Sequence, residues 1–139
     1  MPRLWARTVT FESVNVGDQL PILVKWETNE SIKGFEALVS STARDEEKPD
    51  QHLSLDPAAL VSYVTELLEK AFPIVRIMAQ GSQLQFEPVS PVRPEDTISL
   101  SGEVVGKRQD GDQRLVECAI TIENQDGETV GRAAAVVSL

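Results

Sequence analysis

The longest amphipathic pattern in the chain covers residues 54–73 and predicts a helix. Apolar residues recur there at i, i+3, i+4 and i+7, the spacing of a broad apolar helix face. Asp56 suits the N-cap, Pro57 suits the first helical position, and Pro73 disfavours helical geometry at Phe72. The pattern predicts one long helix that buries Leu60, Val61, Val64, Leu67, Leu68 and Ala71.

Alternation of apolar and polar positions predicts a meander of long strands after this helix. The strands are residues 97–106, 114–124 and 129–138, and an Asp-Gly pair typical of hairpins precedes each of the last two. One face of the sheet is apolar and needs a cover, which we expect the helix to provide. That face carries Ile98, Leu100, Gly102, Val104, Val116, Cys118, Ile120 and Ile122.

The remaining segments have shorter patterns. Residues 8–11, 21–26, 74–78 and 82–86 are predicted as strands, and residues 28–39 as a short amphipathic helix. Residues 88–96 are predicted to be a rigid, proline-rich connection that cannot pair within the sheet. Residues 40–53 are predicted to be a polar loop, which contains the only histidine of the chain, His52. Loops of this length are usually functional or mobile.

Composition limits the class of protein. With 139 residues, 41% of them hydrophobic and 25% charged, the chain is expected to be a single domain over residues 1–139. No apolar run approaches the length of a membrane span and no signal peptide is visible, so we expect a cytoplasmic protein that binds no membrane. The net charge of -9 argues against nucleic acid as a partner.

Redox and metal chemistry have little support in the sequence. Cys118 is the only cysteine and is expected to be a small buried apolar residue. One histidine and one cysteine give no metal-ligand spacing, so neither a metal nor another cofactor is expected.

The order of elements resembles the hotdog fold, an α+β fold in which a long antiparallel sheet wraps around one central helix. Within that fold the chain resembles the MaoC-like dehydratases and (R)-specific enoyl-CoA hydratases. The matching stretches are Phe-Glu-Ser-Val-Asn-Val-Gly-Asp at 11–18, Trp-Glu-Thr-Asn-Glu-Ser-Ile-Lys-Gly-Phe-Glu-Ala-Leu at 26–38, Leu-Gln-Phe at 84–86 with Pro-Val-Arg-Pro-Glu-Asp-Thr-Ile at 91–98, and Ile-Glu-Asn-Gln-Asp-Gly-Glu-Thr-Val at 122–130. The resemblance implies an acyl-CoA or acyl-carrier-protein thioester as substrate, fatty acid metabolism, and a homodimer or a higher assembly of dimers.

The catalytic loop departs from the family pattern. The family has Gly-Asp-x-Asn-Pro-x-His, whose Asp and His act as an acid/base pair, and the resemblance assigns these roles to Asp45 and His52. The asparagine is missing here, and the two residues are further apart than in the motif. Alternatively, residues 49–52 match a later Pro-x-x-His in the family, and the catalytic segment is then deleted. Glu95 also replaces the family's usual glycine.

Three functions stay open at the sequence level. The first is a hydratase or dehydratase in which His52 is the acid/base residue and Asp45 its partner. The second is a non-catalytic subunit that binds an acyl thioester or supports an active partner. The third is a hotdog thioesterase in which Glu66 or Asp45 activates water. His52 and Glu66 also have the separation of the His and Glu of β-hydroxyacyl-acyl carrier protein dehydratases, a second hotdog family that the chain resembles.

Overall fold

The computed structural model describes residues 9–28 and 54–139, which form one layer of sheet packed on one long helix. In chain order the elements are β1 (Leu23–Trp26), α1 (Pro57–Ala71), α2 (Ile74–Ile77), β2 (Gln83–Pro88), β3 (Thr97–Asp110), β4 (Gln113–Glu123) and β5 (Thr129–Ser138). The predicted α+β architecture is confirmed.

The five strands form one antiparallel sheet in the order β1-β3-β4-β5-β2. Both predicted hairpins are present, and Gly111 and Gly127 adopt positive φ values of 61° and 79° at their turns. Such values are readily adopted only by glycine, which explains why Asp-Gly pairs mark these turns. The strands predicted at 97–106, 114–124 and 129–138 are confirmed, and β3 continues four residues further than predicted.

The predicted helix is confirmed, with Asp56 as its N-cap and Phe72 as its C-cap. Its apolar side packs against the apolar face of the sheet and forms one core. The helix residues that are fully buried in this core are Ala59, Leu60, Val64, Leu67, Leu68 and Ala71. The prediction that Val61 is buried is wrong, since this residue is only partly buried. The sheet contributes Ile98, Leu100, Val104, Val116, Cys118, Ile120 and Ile122, as the alternation predicts.

Two predicted strands are wrong. Residues 74–77 form the helical turn α2, in which the Ile77 N–H bonds to the Pro73 carbonyl. A short apolar run without flanking context does not distinguish strand from helix. The stretch at 9–11 runs into a turn at 11–13, because Thr10 and Ser13 exchange side-chain and backbone hydrogen bonds that compete with strand pairing.

The helix predicted at 28–39 lies, apart from Thr28, outside the described residues.

Candidate functional site

A cleft lies where the start of α1 meets the proline-rich segment 88–92, which begins at the last residue of β2. It encloses about 270 Å³. The Leu55 N–H donates a 2.8 Å hydrogen bond to the Val92 carbonyl and joins the two walls at one end. Most lining groups are apolar, which suits an acyl chain. The lining residues are Ser54, Leu55, Pro57, Leu60, Pro88, Val89, Ser90, Pro91 and Val92.

The N-terminal N–H groups of α1 beside the cleft already have acceptors. The Ala58 N–H bonds to Asp56 Oδ1 at 2.9 Å, the Ala59 N–H bonds to the Asp56 carbonyl at 2.9 Å, and Pro57 has no N–H. The predicted capping role of Asp56 is therefore confirmed. Polarisation of a thioester carbonyl by the N–H groups of Ala58 and Ala59 would require these bonds to break.

The predicted site residues are not brought together by the described part of the structure. His52 and Asp45 lie outside the described residues. Glu66 lies on α1 and forms a 3.0 Å ion pair with Lys25 Nζ of β1, with its side chain 42% exposed. It does not line the cleft.

The sequence reasoning missed a buried carboxylate at Glu27, directly after β1. This side chain is only 2% exposed, and the Tyr63 hydroxyl of α1 donates a 2.8 Å hydrogen bond to its Oε2. Burial, this hydrogen bond and the Glu27 charge all raise the pKa of Tyr63 well above its usual range. The signal was present in the alternation of Leu23, Lys25 and Glu27, because residues of equal parity on a strand share a face.

Residues 9–28 and 54–139 contain no group of three or more His, Cys, Asp or Glu side chains that is arranged to hold a metal ion. None of the helices within them is long and apolar enough to cross a membrane.

Comparisons with known proteins identify the fold. No protein-family model and no curated protein matches the chain. Solved structures do match it. A MaoC-like dehydratase from Rhodospirillum rubrum is 22% identical, with a TM-score of 0.70 over 92% of this chain and 94% of that one. The (R)-hydratase from A. caviae involved in PHA biosynthesis is 21% identical, with a TM-score of 0.66 over 92% and 98%.

A third match is a chain of the ChsH1-ChsH2 complex from Mycobacterium tuberculosis. It is 18% identical, with a TM-score of 0.63 over 90% of this chain and 98% of that one. These likenesses show that the chain has the hotdog fold. The predicted fold and the structural resemblance to MaoC-like dehydratases and (R)-hydratases are thereby confirmed.

Proposed function

We propose that this protein is a MaoC-like hydratase or dehydratase that binds an acyl thioester in the cleft at the start of α1. The observation that carries the proposal is the cleft itself, apolar and about 270 Å³ in volume, in a chain with the hotdog fold. An apolar cleft of this size has room for a short acyl chain.

His52 is the proposed acid/base residue. It precedes Ser54, which lines the cleft, by two residues, and two residues of chain span at most about 7 Å. Hydration adds the oxygen of water to the β-carbon of an enoyl thioester and a proton to its α-carbon. Histidine suits this proton transfer because its pKa lies near neutrality, and Asp45 is the proposed carboxylate that orients it.

A partner copy is part of the proposal. In the described sheet β2 is an edge strand that pairs only with β5, and such an edge is a template for pairing with another chain. Exposed apolar residues lie in β2 or close to it in the sequence, and we propose that a second copy covers them: Ile74, Val75, Met78, Leu84 and Val89. Because Pro88 ends β2 and lines the cleft, a homodimer built along β2 would extend the cleft wall.

The experiment follows loss of the enoyl-thioester absorbance of crotonyl-CoA. We expect hydration by the wild-type protein, loss of the activity in His52→Ala, and retention in Ser62→Ala, an exposed change on α1 that lies off the cleft. Saturable binding of crotonyl-CoA without turnover would overturn the catalytic assignment and favour the non-catalytic subunit. Thiol release that is lost in Glu66→Ala would favour a thioesterase.

A further inference from the structure

The two walls of the cleft are connected at a second place, through Glu27. One wall is the first half of α1, represented by Leu60, and the other is segment 88–92. The Leu55–Val92 backbone bond joins them at the start of the helix. Glu27 lies outside the cleft, but its side chain contacts the helix and its backbone contacts the turn that continues the other wall.

The side-chain connection runs to α1. Tyr63, which donates to Glu27 Oε2, lies three residues after Leu60 and therefore on the same side of the helix, one turn further on. Lys25 adds to this connection, since its Nζ lies 5.0 Å from the centroid of the Tyr63 ring and 3.0 Å from Glu66 Oε1.

The backbone connection runs to the turn at 93–96, which directly follows Val92. The Glu27 N–H donates to the Asp96 carbonyl at 2.9 Å, and the Glu95 N–H donates to the Glu27 carbonyl at 2.6 Å. The turn is itself closed by the Arg93 N–H, which donates to Asp96 Oδ2 at 2.9 Å. A displacement of Glu27 would therefore move this turn and, through it, the end of the wall.

The hydrogen bond between Tyr63 and Glu27 is well suited to fix the distance between α1 and the end of β1. Glu27 is only 2% exposed, and breaking this hydrogen bond would cost much free energy because it would leave a buried carboxylate without that donor. The Tyr63 phenol is protonated, and therefore a donor, across the physiological pH range, and burial and the Glu27 carboxylate raise its pKa further above that range.

We propose that Glu27 is a positioning residue, which holds α1 and segment 88–92 at a fixed separation and thereby sets the length of acyl chain that the cleft accepts. The inference rests on the proposed function, since it names the selectivity of the same site. Glu27 acts through Tyr63 and the 93–96 turn, without touching the thioester.

The test uses Tyr63→Phe, which keeps the ring and its contact with Lys25 and removes only the hydroxyl. Affinities for butyryl-CoA and octanoyl-CoA are measured by calorimetry, and amide hydrogen exchange is measured at Leu55. Without the Tyr63–Glu27 hydrogen bond the two walls of the cleft can move apart. We therefore expect the ratio of the octanoyl-CoA affinity to the butyryl-CoA affinity to be higher in Tyr63→Phe than in the wild type, by about threefold or more. Amide exchange at Leu55 should be about tenfold faster in the variant.

Val116→Ala is the matched control. It destabilises the core at the far end of β4, where Val116 pairs with Lys107, about 30 Å along β3 from Thr97. An unchanged affinity ratio in Tyr63→Phe, or the same shift in Val116→Ala, would overturn the positioning role. If the wild-type protein binds neither thioester, the proposed function fails. Exchange at Leu55 still tests the connection: acceleration in Tyr63→Phe alone supports it, and unchanged exchange refutes it.

Discussion

The Tyr63 hydroxyl donates a 2.8 Å hydrogen bond to the Glu27 carboxylate, and this contact joins the central helix to the end of the first described strand. Glu27 is almost completely buried and Tyr63 is partly buried. Deprotonation of Tyr63 would place a negative charge beside the buried Glu27 carboxylate. The contact therefore depends on the phenol staying protonated.

Stability should fall in alkaline solution because of Tyr63. Its pKa is 10.0 in an unfolded chain and is raised in the folded protein. The contribution of Tyr63 to the free energy of unfolding is therefore complete well below pH 10.0. It is lost as pH rises toward the folded pKa, at up to about 1.4 kcal/mol per pH unit. Urea unfolding at several pH values above and below 10.0 should show that the free energy of unfolding of the wild type decreases with pH above 10.0. The decrease per pH unit should be smaller in Tyr63→Phe. Equal slopes would contradict the assignment.

The protonation state of Tyr63 can be observed directly. It is the only tyrosine in the chain, so tyrosinate absorbance in the near ultraviolet reports this one group. We expect the native protein to titrate at a clearly higher pH than the urea-unfolded protein. Coinciding titrations would show that the hydroxyl is not held by Glu27.

Glu95→Gly should stabilise the protein. Glu95 is the only non-glycine residue with positive φ in the described ranges, at 73°, and it occupies the position of a glycine in the family that the chain resembles. This conformation costs a non-glycine residue about 1 to 2 kcal/mol, and the extra freedom of glycine in the unfolded chain offsets part of that cost. We expect a gain of about 0.5 to 1 kcal/mol in the free energy of unfolding from urea titration.

Glu95→Ala is the control for this prediction. Alanine removes the charge of Glu95 but keeps the Cβ that disfavours positive φ. It should give no comparable gain. If Ala and Gly stabilise the protein equally, the effect comes from the charge and the backbone argument is wrong.

Much of the fold could be predicted from sequence because its signals are local. The caps at Asp56 and Phe72, the helical stripe and the Asp-Gly turns each depend on a few neighbouring residues. The strands from 97 onward follow from alternation that lasts for many residues. The prediction at 74–78 was wrong because a run of five residues, four of them apolar, is compatible with either helix or strand.

The candidate site was harder to predict because it depends on contacts between distant residues. Glu27 and Tyr63 are 36 residues apart, and nothing near either residue indicates the other. The cleft is likewise formed by α1 and segment 88–92, whose meeting depends on the whole sheet. The roles of His52 and Asp45 remain predictions, since both lie outside the described residues.

Gly102→Ala should destabilise the protein strongly. A Cβ at Gly102 would lie 2.9 Å from the backbone oxygen of Ala119 and 2.9 Å from Leu20 Cδ1. The backbone oxygen is held in the sheet and cannot move aside, so we expect a loss of about 1 to 3 kcal/mol in the free energy of unfolding. Gly106→Ala in the same strand is the control, because its Cβ would meet only the Glu117 side chain, at 3.5 Å. Equal losses in the two variants would contradict the steric explanation.

Cys118 should be unreactive in the folded protein. Its side chain is 1% exposed, and burial raises the pKa of its thiol to about 12. Little reactive thiolate is therefore present at neutral pH, and a reagent has no access to it. A coloured disulfide reagent should label the protein only after unfolding in urea, with Cys118→Ala as the blank. Rapid labelling of the native protein would refute the buried position.

Met78→Glu should weaken the assembly that we propose along β2. Met78 is 77% exposed and follows α2, five residues before β2 begins in the sequence. A second copy seated there would bury this side chain, so a carboxylate at the same place would lose its hydration without gaining a partner. Light scattering after gel filtration should give a dimer mass for the wild type. For Met78→Glu we expect a shift to the monomer, with dimer affinity reduced at least about tenfold.

Val24→Glu separates this prediction from a general effect of added charge. Val24 is also exposed, at 58%, but lies on β1 at the opposite edge of the sheet. The Val24→Glu variant should remain a dimer if the subunits meet along β2. If instead Val24→Glu is a monomer and Met78→Glu is still a dimer, the subunits meet at β1. In that arrangement a second copy would lie far from Pro88, and the cleft would have to be complete within one chain. The two variants therefore decide whether the proposed thioester site belongs to one subunit or to two.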